Sequence, residues 1–153
     1  MEETPKDPRD REGVFEDFRQ EVARQDSADS AEQHFKLGLT YRDMGLMDQA
    51  VAALETAARS PRYRFEAAAM LGRILQQRGK VPEAIEWFER AAEAPAATAE
   101  DGRALLYDLA RALESAQEVA RALALYLEIQ TDAGPYRDVG PRIDRLSKRQ
   151  SKG

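Results

Sequence analysis

The sequence contains no cysteine, only one histidine and no long apolar run. Without cysteine the chain can form neither a disulfide nor a thiolate metal site, and one histidine cannot make a histidine cluster. No segment reaches the roughly 20 apolar residues that a helix needs to cross a bilayer. The first residues, MEETPKDPRDREG, are polar and acidic, whereas a secretory signal begins with basic residues and continues with apolar ones. We therefore expect no metal site and no membrane insertion, and predict a cytoplasmic protein or a soluble piece of a larger one.

The sequence also lacks the motifs of common catalytic and cofactor chemistry. Neither GxxxxGK nor GxGxxG occurs, so no phosphate-binding loop is expected. A Ser-His-Asp set would have to use His34, which falls on an inward-facing position and is better explained as a packed residue. The carboxylates Glu83, Glu86 and Glu89 follow a charged outer face, and nothing distinguishes one as acid and another as base. We expect no enzyme activity and no cofactor.

The net charge of −5 is unevenly distributed along the chain. Residues 1–30 carry ten acids against five Lys or Arg, residues 31–134 carry sixteen against twelve, and residues 135–153 carry two against six. An acidic body repels a phosphate backbone. The short basic end is better explained as a closing helix whose cations meet the negative end of its dipole. Neither nucleic acid nor a membrane surface is expected as a partner.

Two segments share a period of 34 residues. Aligning LGLTYRDMGLMDQAVAALETAA with LGRILQQRGKVPEAIEWFERAA places Gly38 on Gly72 and Gly45 on Gly79. The other matches at this offset are Leu37 with Leu71, Ala50 with Ala84, Leu54 with Phe88, Ala57 with Ala91, and Pro61 with Pro95. A looser third copy around Leu109 follows at an offset of 38 and lacks both glycines, which leaves its turn geometry open.

Each copy predicts two helices joined by a tight turn. Apolar residues recur at steps of three and four on both sides of the glycine, as on one helical face. Gly45 and Gly79 suit the left-handed residue that ends a helix, and Pro82 suits the first turn of the next. Ser30 and Gln33 have the spacing of a capping box, which predicts a helix start there. Small residues such as Gly38 allow close helix packing around Leu54 and Phe88.

The period and these residues resemble the tetratricopeptide repeat (TPR) family, most closely in AIEWFERAAEAP. The resemblance implies an all-α fold, a right-handed superhelical solenoid of about three helix pairs with N- and C-terminal capping helices. The boundaries that follow are a disordered N-terminus at 1–9, an N-terminal capping helix at 10–25, repeats at 31–64, 65–98 and 103–134, a C-terminal capping helix at 135–150 and a tail at 151–153.

The expected capping helices would cover the ends of the solenoid, because terminal repeats cannot bury their own outer faces. In the first, Val14, Phe15, Phe18 and Val22 share one helical face and predict docking on the first repeat. In the second, the apolar positions are Tyr136, Val139, Ile143 and Leu146, interrupted by Gly140 and Pro141.

In this family the first helix of each pair lines a concave surface, so the resemblance implies which residues face a partner. The matching positions are Glu32, Phe35, Leu39, Arg42 and Asp43; Glu66, Ala69, Arg73, Gln76 and Gln77; and Ala104, Tyr107, Arg111, Glu114 and Ser115. The predicted binding set is Phe35, Leu39, Arg42, Arg73, Gln77, Tyr107 and Arg111. Its apolar members would hold apolar side chains, and its arginines would pair with carboxylates. The alternative is that these residues only solvate the inner face or pack on the same chain.

The segments VFEDFRQEV and YRDVGPRIDRL, with the repeats between them, resemble the C-terminal module of large bacterial TPR proteins, some tied to polar type IV pilus motility. This resemblance implies a small Ras-like GTPase as a candidate partner. A clamp for C-terminal carboxylates is not implied, because Phe35 and Leu39 occupy the places of its Lys and Asn. Two functions stay open: an adaptor that grips another protein, and a structural module that forms homo-oligomers without a separate ligand.

Overall fold

The computed structural model describes residues 8–152 and, within that range, the side chains of residues 13–25 and 29–152. These residues form seven α-helices, with no strand among them. The helices are α1 (Pro8–Asp43), α2 (Met47–Ala58), α3 (Arg64–Gln77), α4 (Val81–Glu93), α5 (Ala99–Ser115), α6 (Val119–Ala133) and α7 (Val139–Lys152). Each helix packs on the next, and α3 also contacts α5. The all-α superhelix of stacked helix pairs is therefore confirmed.

The core consists of two clusters of buried side chains. The first joins α1, α2 and α3 around Leu54 and Leu71, and the second joins α3 to α7 around Phe88 and Tyr126. Trp87 is half-buried and packs against both clusters. The apolar faces of neighbouring pairs thus cover one another, as a stacked-repeat architecture requires.

Two glycines allow paired helices to approach closely. A Cβ atom added to Gly38 would lie 2.7 Å from the Leu54 side chain, and one added to Gly72 would lie 2.4 Å from the Phe88 ring. Real Cβ contacts essentially never fall below 3.0 Å. The prediction that small residues at these positions make room for the large residue on the second helix is confirmed.

The turn within each helix pair has the same conformation in all three pairs. Gly45 and Gly79 both have φ of +79°, and Gln117 occupies the matching place with φ of +65°. The Gln117 N–H donates to the Glu114 carbonyl at 3.0 Å, and the next N–H donates to the Leu113 carbonyl at 2.9 Å. The first two turns have the corresponding bonds. The turn geometry that the sequence left open is therefore retained without glycine.

The N-terminal part of the chain differs from the prediction. α1 is continuous from Pro8 to Asp43, so the capping helix expected at 10–25 and the first repeat helix are one element. Residues 23–33 contain neither Gly nor Pro, and a helix continues where nothing breaks it. Ser30 is therefore not a cap, and its hydroxyl lies 3.3 Å from His34 Nδ1 instead. The disorder expected at 1–9 lies, for residues 1–7, outside the described residues.

The expected docking of the N-terminal segment is also absent. Phe15 is 57% exposed and Phe18 is 66% exposed, and every described side chain from residue 13 to residue 25 is exposed. None of the described side chains in this part of α1 is buried, although Ala23 and Arg24, near its end, border a hollow beside the last turn of α2. We call residues 13–25 the α1 arm.

The C-terminal segment does pack on the solenoid. Val139 and Leu146 on α7 are buried in the second cluster, and Tyr136 and Ile143 are partly buried against it. Pro141 causes no break, because it lies in the first turn of the helix, where its missing N–H needs no partner. α7 therefore covers the third pair, over 139–152 rather than 135–150.

Candidate protein-binding surface

The first helices of the three pairs, α1, α3 and α5, form one inner face through direct side-chain contacts. Arg42 on α1 donates to the Met70 sulfur on α3 at 3.5 Å. Arg73 on α3 donates from Nε to the Asp108 carboxylate on α5 at 2.7 Å. These contacts between successive helices fix the relative positions of the predicted binding residues.

Four of the seven predicted residues reach solvent as a polar row along this face. Arg42 is partly exposed, and Arg73, Gln77 and Arg111 are exposed. Arg42 also pairs with Asp43 at 3.0 Å. Arg111 makes no ion pair with any described side chain, so its guanidinium is the one in this row that a partner carboxylate reaches without competition.

The apolar members of the predicted set are less accessible. Phe35 is half-buried and stacks on Tyr63, with the ring centroids 5.1 Å apart. Leu39 is half-buried beside the polar row. These two side chains offer edges of apolar surface to a partner, while their remaining surface packs within the first cluster.

Tyr107, predicted to bind a partner, is only 6% exposed and is covered by the segment that leads into α7. Its hydroxyl donates to the Asp138 carboxylate, and its ring meets Tyr136 edge to face at 6.1 Å. Burial, together with this bond, raises the pKa of the Tyr107 phenol. Tyr107 therefore holds the C-terminal segment in place and is not a free contact for a partner.

The end of α5 is bound to α7 by an ion-pair network. Glu114 accepts hydrogen bonds from Arg142 at 2.9 Å and from Arg145 at 3.1 Å. Arg142 also donates to Asp138 at 2.8 Å. Burial opposes the charge of Arg142, but the Asp138 and Glu114 carboxylates outweigh it and raise the pKa of its guanidinium. This network covers Glu114 at the end of α5, whereas Arg111, one turn earlier on the same helix, stays exposed.

The remaining inward positions divide by exposure. Ala69 is buried, and Glu114 belongs to the α7 network. Glu32 pairs with Lys36 at 3.1 Å, and this hydrogen bond lowers the pKa of its carboxyl. The others are Asp43, Glu66 and Ser115, which are exposed, and Gln76 and Ala104, which are half-buried.

Asp108 is the inner-face residue that sequence reasoning missed. It lies one helical turn before Arg111, the third-copy counterpart of Arg73, and its charge is opposite. The sequence did hold a signal for this pair, because Asp108 places a negative charge one helical turn before the position that matches Arg73 in the next repeat. The sequence signal for the covering of Tyr107 was weaker. Arg142 and Arg145, three residues apart on one helical face, could have indicated that this helix pairs with an acidic residue elsewhere in the chain.

The described residues contain no group of three or more His, Asp or Glu side chains placed to hold a metal ion. His34 is half-buried, and its Nδ1 donates to the Ser30 carbonyl at 2.7 Å. None of the helices in the described range combines the length and apolar character needed to cross a membrane.

A protein-family model described as "Tetratricopeptide repeat" matches residues 35–100. The match covers α2, α3 and α4 with the end of α1 and the start of α5, which hold the two copies at the strict 34-residue offset. The matched segment is therefore similar to tetratricopeptide repeats in both sequence and structure. A search of curated protein sequences finds no match.

Many solved structures share the fold, and three of them illustrate it. A crystal structure of MamA protein matches at 16% identity with a TM-score of 0.69, covering 79% of this chain and 64% of that chain. The N-terminal domain of stress-induced protein-1 (STI-1) from C. elegans matches at 12% identity with a TM-score of 0.68, covering 79% of this chain and 97% of that domain. A second crystal structure of MamA matches at 21% identity with a TM-score of 0.65, covering 97% of this chain and 87% of that chain. The chain thus spans less than two thirds of the first MamA chain.

Proposed function

We propose that the chain is a non-catalytic protein-binding module, an adaptor or scaffold of the cytoplasm whose inner face holds a partner protein. The observation that carries the proposal is the polar row Arg42, Arg73, Gln77 and Arg111 on three stacked helices. Side chains held on rigid, mutually packed helices suit recognition, because little conformational freedom is lost on binding. The similarity of residues 35–100 to tetratricopeptide repeats supports a protein as the ligand.

The row favours a partner segment that carries carboxylates. An arginine can hold a carboxylate with two parallel hydrogen bonds, and Arg111 has no described acidic partner of its own. At Arg73 a partner carboxylate would have to compete with Asp108. Arg111 is therefore the main anchor, and the exposed edge of Leu39 is an apolar contact further along the same face.

As the specific partner we propose a small Ras-like GTPase that acts in bacterial polarity or pilus-based motility. The support is the resemblance of the end segments and the repeats between them to modules of bacterial TPR proteins. Such GTPases order different loops in their two nucleotide states. We therefore expect the module to bind the GTP and GDP forms with different affinities.

The decisive experiment compares charge reversals on the two faces of the solenoid. Arg111→Glu should weaken binding to the partner at least tenfold, because attraction becomes like-charge repulsion. Its stability should change by no more than about 0.5 kcal/mol, as for other exposed positions. The charge-matched control is Lys80→Glu, in the turn before α4, and Glu83→Lys probes the outer face; both should bind as wild type. Titration calorimetry against GTP- and GDP-loaded GTPase provides the measurement.

If wild type and Arg111→Glu bound the partner equally and Glu83→Lys lost binding, the binding site would lie on the outer face instead. Arg73→Glu is a poorer first choice, because the new carboxylate would face Asp108 and destabilise the fold as well. Glu89 is unsuitable as an outer control for a similar reason, since it pairs with Arg121 at 2.7 Å.

Self-association is the second candidate function, and the α1 arm favours it. Its exposed apolar side chains are Val14 at 69%, Phe15 at 57%, Phe18 at 66% and Val22 at 39%. An isolated helix of this length is marginal in water, so a second molecule that covers the apolar face would stabilise it. Light scattering from 5 to 500 µM (about two decades) tests self-association. A wild-type dimer that becomes a monomer in the double variant Phe15→Ser/Phe18→Ser supports assembly. A wild type that stays monomeric over this range refutes it.

A further inference from the structure

The turn between α2 and α3 carries an unusual concentration of arginine. Residues 59–64 read RSPRYR, and Arg90 on α4 lies beside them. Arg59, Arg64 and Arg90 line one hollow of about 600 Å³ together with Trp87. Arg59 and Arg62 line a second hollow of about 770 Å³, against α1. Arg59 borders both hollows, and we call the surface around them the arginine edge.

The arginines of this edge form no ion pair with a described carboxylate. No described carboxylate lies within 4.0 Å of the guanidinium nitrogens of Arg59, Arg62, Arg64 or Arg90, although the chain has 28 acids against 23 Lys and Arg. All four are exposed. Elsewhere in the described chain most arginines at helix contacts are paired, as Arg78 is with Asp48 and Arg121 with Glu89.

One of the four has a structural role within the fold. Arg64 donates to the carbonyls of Ala58 and Arg59 at the end of α2, at 3.5 and 3.2 Å, and so satisfies groups that a helix end leaves free. Arg62 stands over the Tyr63 ring and Arg90 over the Trp87 ring, with 5.2 and 4.4 Å to the ring centroids. Arg59, Arg62 and Arg90 therefore retain free hydrogen-bond donors directed to solvent.

We propose that the arginine edge is a second docking surface, which binds an acidic segment of a partner protein with an apolar side chain among its carboxylates. Carboxylates pair with the donors of Arg59, Arg62 and Arg90, and the half-buried Trp87 supplies apolar surface for the neighbouring side chain. Neither Arg73 nor Arg111 lines the edge, so a partner held there does not need the inner-face arginines.

Charge complementarity favours a protein segment over nucleic acid or a membrane. Glu55 and Glu93 line the same hollow as Arg90, and the chain as a whole carries a charge of −5. A continuous phosphate backbone or an anionic bilayer would be repelled by these carboxylates. Separate acidic side chains on a peptide can face the arginines and avoid the two glutamates.

The test selects peptides from a random twelve-residue library with the whole chain as bait. Wild type should enrich sequences with several Asp or Glu around one apolar residue, and the best peptide is then titrated by fluorescence anisotropy. The variant Arg59→Glu/Arg62→Glu/Arg90→Glu should bind it at least tenfold more weakly. The control Lys80→Glu/Lys148→Glu/Lys152→Glu makes the same change in net charge at exposed sites and should bind within twofold of wild type.

Several results would overturn the proposal. Selection without acidic enrichment would do so, as would equal losses in the two triple variants, because the effect would then be one of net charge alone. The edge would belong to a different ligand class if wild type bound phosphatidylserine vesicles or a single-stranded oligonucleotide more tightly than the peptide, and the arginine variant lost that binding. Circular dichroism of both variants checks their folding, and Arg111→Glu separates this surface from the inner face.

Discussion

Single residues in this solenoid perform the same structural task with different chemistry. Gly45, Gly79 and Gln117 all end the first helix of a pair with positive φ. For a residue with a side chain this conformation costs roughly 1–2 kcal/mol. Gln117 is the one of the three that bears that cost, and its side chain accepts a hydrogen bond from Arg149 on α7 at 2.5 Å.

Gln117→Gly is expected to raise the free energy of unfolding by about 0.5 kcal/mol. Relief of the backbone strain is partly offset by the larger conformational freedom of glycine in the unfolded chain and by loss of the Arg149 bond. The reverse test, Gly45→Ala, should lower the free energy of unfolding by about 1 kcal/mol through the backbone alone, because nothing beyond the two neighbouring residues lies within 4 Å of the added Cβ. Urea unfolding measures both, and a loss of stability in Gln117→Gly would contradict the strain argument.

At the scale of elements, the two ends of the solenoid are built differently. α7 buries Val139 and Leu146 and is bound to α5 by ion pairs, whereas the α1 arm exposes its apolar face. An amphipathic pattern was present in both segments. α7 follows a turn that brings it back to the solenoid, whereas the α1 arm is the start of one unbroken helix.

Phe18→Ala is therefore expected to change the free energy of unfolding by no more than about 0.5 kcal/mol when measured on the monomer. A docked capping helix would have lost about 3–5 kcal/mol. Leu54→Ala, at a fully buried position, is the positive control, with an expected loss of about 2–5 kcal/mol. A large loss in dilute Phe18→Ala would show that the arm packs on its own chain.

Docking of α7 is expected to weaken at alkaline pH. Burial raises the pKa of the Tyr107, Tyr126 and Tyr136 phenols in the folded chain. A raised pKa contributes stability that is complete below the unfolded value of about 10 and is lost as the pH rises through the folded pKa. The urea midpoint should fall as the pH rises above about 10, and less steeply in Tyr107→Phe, which has one fewer phenol with a raised pKa. Equal slopes would exclude Tyr107 from the effect.

At the scale of the whole molecule, the two core clusters meet at Trp87, the only tryptophan in the chain. Stability in a solenoid is transmitted through contacts between neighbouring repeats. Damage to the second cluster at α7 should therefore destabilise the surroundings of Trp87 on α4. The single tryptophan makes this transmission measurable by fluorescence.

Leu146→Ala removes a fully buried side chain from α7 and is expected to lower the free energy of unfolding by about 2–5 kcal/mol. If the described helix pairs unfold as one unit, the urea midpoint followed by Trp87 fluorescence should fall by the corresponding amount. Lys148→Glu, exposed on the same helix, should leave the midpoint unchanged. A Trp87 midpoint that does not respond to Leu146→Ala would indicate that α7 and the third pair unfold separately.

The sequence alone determined the helix pairs, the turns at Gly45 and Gly79, and the close approach of Gly38 and Gly72 to their large neighbours. These features depend on local backbone preference and on a period that repeats the same packing. The tertiary structure alone decided that Tyr107 is covered, that Arg73 is paired with Asp108, and that four arginines gather with no described carboxylate within ion-pairing distance. Each of these depends on which side chains come together from distant parts of the chain, or find no partner there, and a periodic pattern carries no information on such pairings.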